Sequence, residues 1–268
     1  MRLAEWLDST EDVPRREREI LLEELAGVTR AQSLIEAALP LDCARVQALG
    51  DAIVRLRRGE PLAYVLGHQD FWNLRLQVSP SVLIPRPETE LLVELVLARA
   101  EPKARLLDLG TGSGAIALAC ASARGDLSIT AADRSSEALA LASANADHLD
   151  LTVTCLQSDW FELIETTFDL IVSNPPYVAR QDPHLEALAF EPQQALVAGA
   201  DGLDDIRRIV AEAPQHLNEG GWLALEHGFD QADRVRALMS AAGFVAIATE
   251  QDLAGHERVT HGRLNEVA

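Results

Sequence analysis

The tetrapeptide Asn174-Pro175-Pro176-Tyr177 combines groups that hold a planar NH₂ group. The asparagine amide oxygen and the prolyl carbonyls accept hydrogen bonds, and the phenol ring packs against a flat group. A glutamine or adenine NH₂ is a poor nucleophile, so two preplaced acceptors that fix its hydrogens would align its nitrogen with an activated methyl. The tetrapeptide therefore predicts methyl transfer to nitrogen. Asn174, Pro175 and Tyr177 are the candidate catalytic residues, all four residues are candidates for substrate binding, and no general base is assigned.

A glycine-rich loop lies upstream and predicts a nucleoside site. It comprises Gly110, Thr111, Gly112, Ser113 and Gly114, between an apolar run and a helical stretch. Glycines let the backbone turn sharply and approach a ligand, and the helix N-terminus supplies unpaired N–H groups. Gly110, Gly112 and Ala115 also satisfy the dinucleotide fingerprint, so the loop alone leaves a Rossmann dehydrogenase open. With Asp108 two residues ahead, the loop is more similar to the S-adenosylmethionine loop of class I methyltransferases.

Three residues after predicted strands are candidates for holding the nucleoside. Asp133 ends the second strand, where a carboxylate can accept hydrogen bonds from both ribose hydroxyls. Its alternative role is the N-cap of the helix that begins near Ser135. Trp160 could stack on adenine, with Asp159 accepting from the exocyclic amine. A tryptophan in this position also occurs as a core residue.

The order of apolar and helical segments predicts an α/β fold. Short apolar strands are predicted at residues 105–109, 128–132, 151–155, 168–173 and 222–226, and helical stretches separate most of them. Strands that alternate with helices indicate a mainly parallel sheet covered on both faces. Before this region, residues 1–60 predict short helices with N-caps at Thr29 and Asp42, and a strand pair is predicted from His68 to Val78.

Composition limits the partners. The chain has 42 acidic and 23 basic residues, for a formal net charge of -19. Such a field repels a phosphate backbone, so neutral or basic partners are expected and direct binding of nucleic acid is not. Three cysteines without a Cys-x-x-Cys spacing suggest neither disulfides nor a zinc site, and no metal is predicted. No apolar run has the length of a signal peptide core or a membrane span, so we expect a cytoplasmic protein without a membrane partner.

Taken in order, these segments resemble the protein-(glutamine-N5) methyltransferases of the HemK/PrmC family. The resemblance extends from about residue 60 to the C-terminus. The matching segments are Tyr64-Val65-Leu66-Gly67, Phe71-Trp72, Leu83 to Glu90, Gly110 to Gly114, Asp133, Asp159-Trp160, Asn174 to Tyr177 and Glu191-Pro192.

The resemblance implies a class I methyltransferase, a Rossmann-like fold with a seven-stranded sheet whose last strand pair is antiparallel. It implies that residues 1–66 form a helical substrate-docking domain, 67–80 a β-hairpin linker and 81–268 the methyltransferase domain. S-adenosylmethionine would bind Gly110 to Gly114, Asp133, Trp160 and Asn174. The implied substrate is the glutamine of the Gly-Gly-Gln motif in class 1 peptide chain release factors, and we expect a monomer.

Two other functions stay open from the residues. An N6-adenine DNA methyltransferase would present the same NH₂ group to the tetrapeptide, although the negative charge opposes it. The other alternative is a nucleotide-binding module without catalysis. Among further polar residues, Glu226 and His227 are expected to be hydrogen-bonded near a cleft rim, and His256 and His261 to lie at the surface.

Overall fold

The computed structural model describes residues 1–265 and divides the chain into two compact units, Met1–His68 and Gln69–Ala268. The last three positions of the predicted methyltransferase domain, 266–268, lie outside the described residues. Among the residues described, no helix is long and apolar enough to cross a membrane.

The first unit is helical, as predicted. Its helices are α1 (Leu3–Asp8), α2 (Arg15–Ala26), α3 (Arg30–Ile35), α4 (Cys43–Arg57) and α5 (Leu62–Leu66). The Thr29 side chain accepts from the backbone of Gln32 at the start of α3, and Asp42 accepts from Arg45 at the start of α4, so both predicted N-caps are confirmed. The core of this unit is built on apolar residues that α1, α2 and α4 bury.

A two-stranded sheet begins at the last residue of the first unit, and the second unit contains a seven-stranded sheet. The small sheet pairs β1 (His68–Phe71) with β2 (Leu74–Gln77). The large sheet has the order β5-β4-β3-β6-β7-β9-β8. Its strands are β3 (Arg105–Leu109), β4 (Ser128–Asp133), β5 (Thr154–Gln157), β6 (Phe168–Ser173), β7 (Leu217–Glu226), β8 (Phe244–Gln251) and β9 (Glu257–Leu264).

Parallel pairing places the ends of five strands at one edge of the large sheet. Strands β3 to β7 pair in parallel, whereas β9 runs antiparallel to both β7 and β8. The predicted class I sheet with an antiparallel last pair is therefore confirmed. The strand order reverses between β3 and β6, the place where open α/β sheets bind ligands.

Helices cover the two faces of this sheet and separate two apolar cores. They are α6 (Glu90–Arg99), α7 (Ala115–Ala123), α8 (Ser136–Leu149), α9 (Asp204–Glu212) and α10 (Ala232–Ala241). One core contains residues of α6 and α7, and the other contains residues of α9 and α10. Strand residues alternate between the cores: Leu106 belongs to the first, and Leu107 to the second. Burial on both faces explains why these strands are continuous apolar runs.

Two strand predictions were shifted. The strand predicted at 151–155 begins only at Thr154 and ends at Gln157. Strand β7 begins at Leu217 and not at Trp222, because an irregularity in its pairing with β6 accommodates Gly220 in a left-handed conformation. Pairing with β6 resumes after this irregularity, at Leu170 and Trp222.

The prediction that His261 lies at the surface was wrong, because this residue is only 2% exposed. It lies on β9, between β7 and β8, and its ring packs at an angle to Trp222. Burial lowers the pKa of His261. His256 keeps a half-exposed side chain in the turn before β9.

Candidate active site

A cleft with an empty volume of about 960 Å³, part of it open to solvent, lies where β3, β4 and β6 end. The structure brings most of the candidate residues together in its lining. These are Gly110, Thr111, Gly112, Ser113, Asp133, Asp159, Trp160, Asn174 and Pro176. Gly114, Pro175 and Tyr177 are not part of this lining. Gly114 instead begins α7, where a Cβ would come within 2.9 Å of the Leu118 side chain.

The glycine loop is fixed to the end of β4. The backbone N–H groups of Gly110 and Thr111 donate to the Ala132 carbonyl, at 2.8 and 3.0 Å. Gly112 has φ +57° and donates its N–H to Oδ2 of Asp133, at 3.0 Å. A Cβ at Gly112 would meet no atom within 4 Å, so the loop leaves open space there.

Asp133 is held by backbone donors on both carboxylate oxygens. While Oδ2 accepts from Gly112, Oδ1 accepts from the backbone N–H of Ser135 at 2.9 Å. The N-cap of α8 is Ser135, whose hydroxyl accepts from the backbone of Ala138. The alternative role of Asp133 as the cap of this helix is therefore wrong, and its partly exposed carboxylate lines the cleft.

The Asp108 side chain stabilises the glycine loop. Its Oδ2 accepts from the Thr111 hydroxyl at 2.6 Å and from the backbone N–H of Ala117 at 3.2 Å. Complete burial raises the pKa of Asp108 to about 7, although these two hydrogen bonds counteract the rise. The carboxyl group thus connects the loop to the first turn of α7.

Asp159 and Trp160 form another wall of the cleft, with a partner that the sequence did not reveal. The Trp160 ring lies against Gly110, and its indole N–H donates to Oδ1 of Asp205 at 3.2 Å. Asp205 also lines the cleft, and burial raises its pKa. The Asp159 carboxylate pairs with Arg208 at 2.9 Å. The acidic first turn of α9 was the only sequence signal for Asp205.

Asn174 follows β6, and the nitrogen and oxygen of its side-chain amide have different surroundings. Its amide Nδ2 donates to the Thr89 hydroxyl oxygen at 3.1 Å. Its Oδ1 is buried and has no hydrogen-bond donor among residues 1–265. A buried acceptor without a partner is costly, and in a cleft it marks the place where a ligand's donor fits.

Glu226, at the end of β7, lies behind this tetrapeptide. Its Oε2 accepts from the Thr89 hydroxyl at 2.7 Å, and its Oε1 accepts from the Tyr177 hydroxyl at 3.2 Å. Burial raises the pKa of Glu226 to about 7 and also raises the pKa of Tyr177. Sequence analysis missed this link, because Thr89 and Glu226 are far from Asn174 along the chain.

The predicted rim positions of Glu226 and His227 were wrong, because both residues are at most 1% exposed. They lie at the end of β7, next to β9. The prediction that they are hydrogen-bonded is confirmed: His227 Nε2 lies 2.8 Å from the Thr260 hydroxyl, and Nδ1 lies 2.9 Å from the Gly228 carbonyl.

Glu191 joins two of the segments that sequence analysis had singled out. Its buried carboxylate pairs with Arg86 and accepts from the backbone N–H of Ile84 at 3.1 Å. Arg86 is thus in an ion pair and makes no side-chain cap for the following 3₁₀ turn. The ion pair fixes the backbone before Thr89.

Comparisons with known proteins agree with this geometry. Residues 87–241 match the Methyltransferase small domain family, and residues 4–67 match the PrmC N-terminal domain. The release factor glutamine methyltransferase of Salmonella typhimurium is 49% identical over 257 residues, which cover 94% of this chain and 93% of that protein. The protein of the same name from Pseudomonas aeruginosa is 50% identical over 256 residues, covering 93% and 92%. The chain belongs to the release factor glutamine methyltransferase family.

A solved structure supports the fold of this release factor glutamine methyltransferase family member. The methyltransferase from Pyrococcus furiosus superposes with a TM-score of 0.57 at 18% identity, covering 81% of this chain and all of that one. At this identity the similarity concerns the fold alone.

The methyltransferase fold implies S-adenosylmethionine, and the residues of the cleft fit it. The open space at Gly112 lets a nucleoside approach the backbone, and the Asp133 carboxylate suits its hydroxyl groups. The Trp160 ring suits its flat base. The buried Oδ1 of Asn174 suits an NH₂ donor in the same cleft. These assignments are developed below as proposals.

Proposed function

We propose that this chain methylates the side-chain amide nitrogen of the glutamine in the Gly-Gly-Gln motif of class 1 peptide chain release factors. The observation that carries the proposal is the buried Oδ1 of Asn174, an acceptor without a donor at the edge of the cleft. The names of the relatives at 49% and 50% identity point to the same substrate.

In this proposal the tetrapeptide holds the glutamine amide. Asn174 Oδ1 and the Pro175 carbonyl accept its two hydrogens, so that the nitrogen keeps one orientation and positive charge developing on it meets fixed dipoles. Pro176 and the Tyr177 ring complete the substrate pocket. No side chain has to remove a proton before the transfer, since the methylated nitrogen is acidic enough to lose it afterwards.

The other cleft residues hold the cofactor. S-adenosylmethionine supplies, when bound, a methyl group on a positively charged sulfur. Gly110 to Ser113 would bring backbone close to it, and Asp133 would accept from ribose hydroxyls. Asp159 and Trp160 bind the adenine, and Asn174 contributes to cofactor binding as well. The Asp205 hydrogen bond fixes the orientation of the Trp160 indole.

The substrate is a protein, and the surface charge fits this assignment. A net charge of -19 favours a basic partner and opposes a DNA duplex.

We assign substrate docking to the helical residues 1–66, the linker to 67–80 and the chemistry to 81–268. We also propose that the enzyme acts as a monomer. Its free cysteines are compatible with the cytoplasm.

The decisive experiment supplies the purified chain with labelled S-adenosylmethionine and a class 1 release factor. We expect one added methyl group on the peptide that contains Gly-Gly-Gln, and none when that glutamine is replaced by asparagine. Oligonucleotides rich in adenine, at physiological salt, are the parallel substrate. Label on the DNA and none on the release factor would replace this proposal with the adenine methyltransferase.

A further inference from the structure

Three distant segments of the second unit meet at the carboxyl group of Glu226. The 3₁₀ helix Pro87–Thr89 contributes the Thr89 hydroxyl, and the loop after β6 contributes Tyr177. In the sheet, Ser173 pairs with Leu225, so the residues that follow them, Asn174 and Glu226, lie side by side. The resulting network runs from Glu226 through Thr89 to Asn174.

While Glu226 is ionised, the hydrogen bonds of this network can run in only one direction. An ionised carboxylate accepts and never donates, so the Thr89 and Tyr177 hydroxyls must both donate to Glu226. The single hydrogen of Thr89 is then in use, and its oxygen can only accept from Asn174. The Asn174 amide must therefore turn its NH₂ group towards Thr89, which leaves Oδ1 on the opposite side.

The alternative orientation of Asn174 has a specific cost. An amide rotated by 180° would place Oδ1 against the Thr89 oxygen, where two acceptors would face each other. It would also turn the NH₂ group towards the substrate, whose NH₂ needs acceptors. Because amide oxygen and nitrogen have nearly the same size, packing alone does not select between the two orientations.

We infer that Glu226 and Thr89 are positioning residues, which fix the Asn174 amide with its oxygen towards the substrate. Glu226 sets the direction of the Thr89 hydroxyl, and Thr89 sets the orientation of Asn174. Tyr177, bound to the other carboxylate oxygen, is held by the same group. The catalytic consequence rests on the function proposed above, whereas the orientation of Asn174 does not.

This role requires the ionised form of Glu226, which predominates above the pKa of the carboxyl group. Burial raises its pKa to about 7, while the Thr89 and Tyr177 hydroxyls and the positive charge of Arg258 oppose the rise. Glu88 is the negatively charged neighbour that adds to it. Once protonated, the carboxyl group carries a hydrogen of its own, and one of the two hydroxyls could accept it.

The test compares Thr89→Val with Thr89→Ser. Valine keeps the shape and removes the hydroxyl, and we expect kcat to fall about ten-fold, as for the loss of one hydrogen bond. Serine restores the hydroxyl and is expected to recover kcat to within about three-fold. Thr260→Val removes another buried hydroxyl of this unit and serves as the control for lost stability.

A double-mutant cycle separates positioning from general damage. In the Asn174→Ala background there is no amide to orient, so Thr89→Val should lower kcat no further. Glu226→Leu, which removes both acceptor oxygens, should behave like Thr89→Val and show the same lack of additivity. Unchanged kcat in Thr89→Val, or an equal loss in both backgrounds, would refute the inference.

A readout without turnover keeps this inference separate from the proposed function. In the NMR spectrum, the side-chain NH₂ signals of Asn174, assigned by their loss in Asn174→Ala, should exchange slowly with solvent in wild type and Thr89→Ser. They should exchange at least about ten times faster in Thr89→Val, because their acceptor is gone. Equal exchange rates would overturn the positioning role, even if release factors are methylated. Protection without methylation would refute only the function.

Discussion

Oδ2 of Asp133 accepts a hydrogen bond from the backbone N–H of Gly112, and the two atoms are 3.0 Å apart. This contact joins the end of β4 to the loop that follows β3. It places a carboxylate and an open stretch of backbone side by side in the cleft. A nucleoside needs both features, because its hydroxyls require hydrogen-bond acceptors and its size requires free space close to the main chain.

Replacing Asp133 with alanine should weaken cofactor binding. The variant loses the acceptor of the Gly112 N–H and the proposed acceptor of the ribose hydroxyls. Hydrogen bonds to a charged group contribute about 1.5–3 kcal/mol, so we expect the Kd of S-adenosylmethionine to rise about 10- to 100-fold. Isothermal titration calorimetry measures this Kd. Asp126→Ala, which removes an exposed partner of Arg124, is the matched control and should leave it unchanged. Equal values for both variants would exclude the role of Asp133.

Asn174→Ala should lower the rate of methyl transfer. The variant loses the buried Oδ1, which is proposed to fix one hydrogen of the substrate amide. Losing one preplaced polar group of this kind costs about 10²-fold in kcat. Single-turnover kinetics on a release factor would measure the loss. Asn218→Ala, which breaks a side-chain hydrogen bond to Asp169 outside the cleft, is the control. A rate within two-fold of wild type would contradict the mechanism.

Sequence reasoning succeeded where one local segment carries the signal. The strand 168–173 and the helix after Gly114 were predicted because burial on both faces leaves continuous apolar runs. The glycine loop and Asp133 were recognisable because the residues that indicate a turn and the residues that end a strand are neighbours in the sequence. The predicted site residues that line the cleft stand at or shortly after the ends of β3, β4, β5 and β6.

Sequence reasoning failed where the site depends on pairing between distant segments. Thr89 and Asn174 are 85 residues apart, and only the fold brings the hydroxyl to the amide. His261 was misplaced because its burial comes from strands on either side of β9. Glu226 was predicted to lie at the cleft rim because it is polar, whereas the register of β6 and β7 decides its position.

The pH dependence of stability should report the burial of Glu226. Its pKa rises from the ordinary value of 4.5 to about 7, so the folded state binds more protons than the unfolded state between these values. The contribution of Glu226 to the free energy of unfolding should therefore fall as pH rises from 4.5 to 7 and stay level above. The part due to Glu226 is on the order of 3 kcal/mol.

The check is to measure unfolding by urea at pH 5 and pH 8 for wild type and Glu226→Gln. Glutamine carries no charge, so the variant should lose less stability than wild type across this interval. Asp108→Asn removes the other buried carboxyl whose pKa is about 7, and the two effects should add. If the curves of wild type and Glu226→Gln were parallel, the carboxyl group would be ionised in the fold throughout.

Gly202 supports the tetrapeptide from behind, and its replacement with alanine should disturb both stability and activity. It has φ +73°, and a Cβ there would overlap the carbonyl oxygen of Tyr177. That oxygen accepts from the side chain of Gln231 at 3.0 Å, so the Tyr177 backbone cannot shift without weakening this bond. We expect the free energy of unfolding to fall by about 1–3 kcal/mol and kcat to fall as well.

Gly243→Ala is the matched control for this substitution. Gly243 has φ +88°, but a Cβ there would meet no atom within 4 Å, so the variant carries the backbone strain without the overlap. It should lose stability through strain alone, about 1–2 kcal/mol, and keep the wild-type kcat. The difference in kcat between Gly202→Ala and Gly243→Ala thus measures how far methyl transfer depends on the position of Tyr177. Identical kcat values would show that the Tyr177 backbone can move without affecting the reaction.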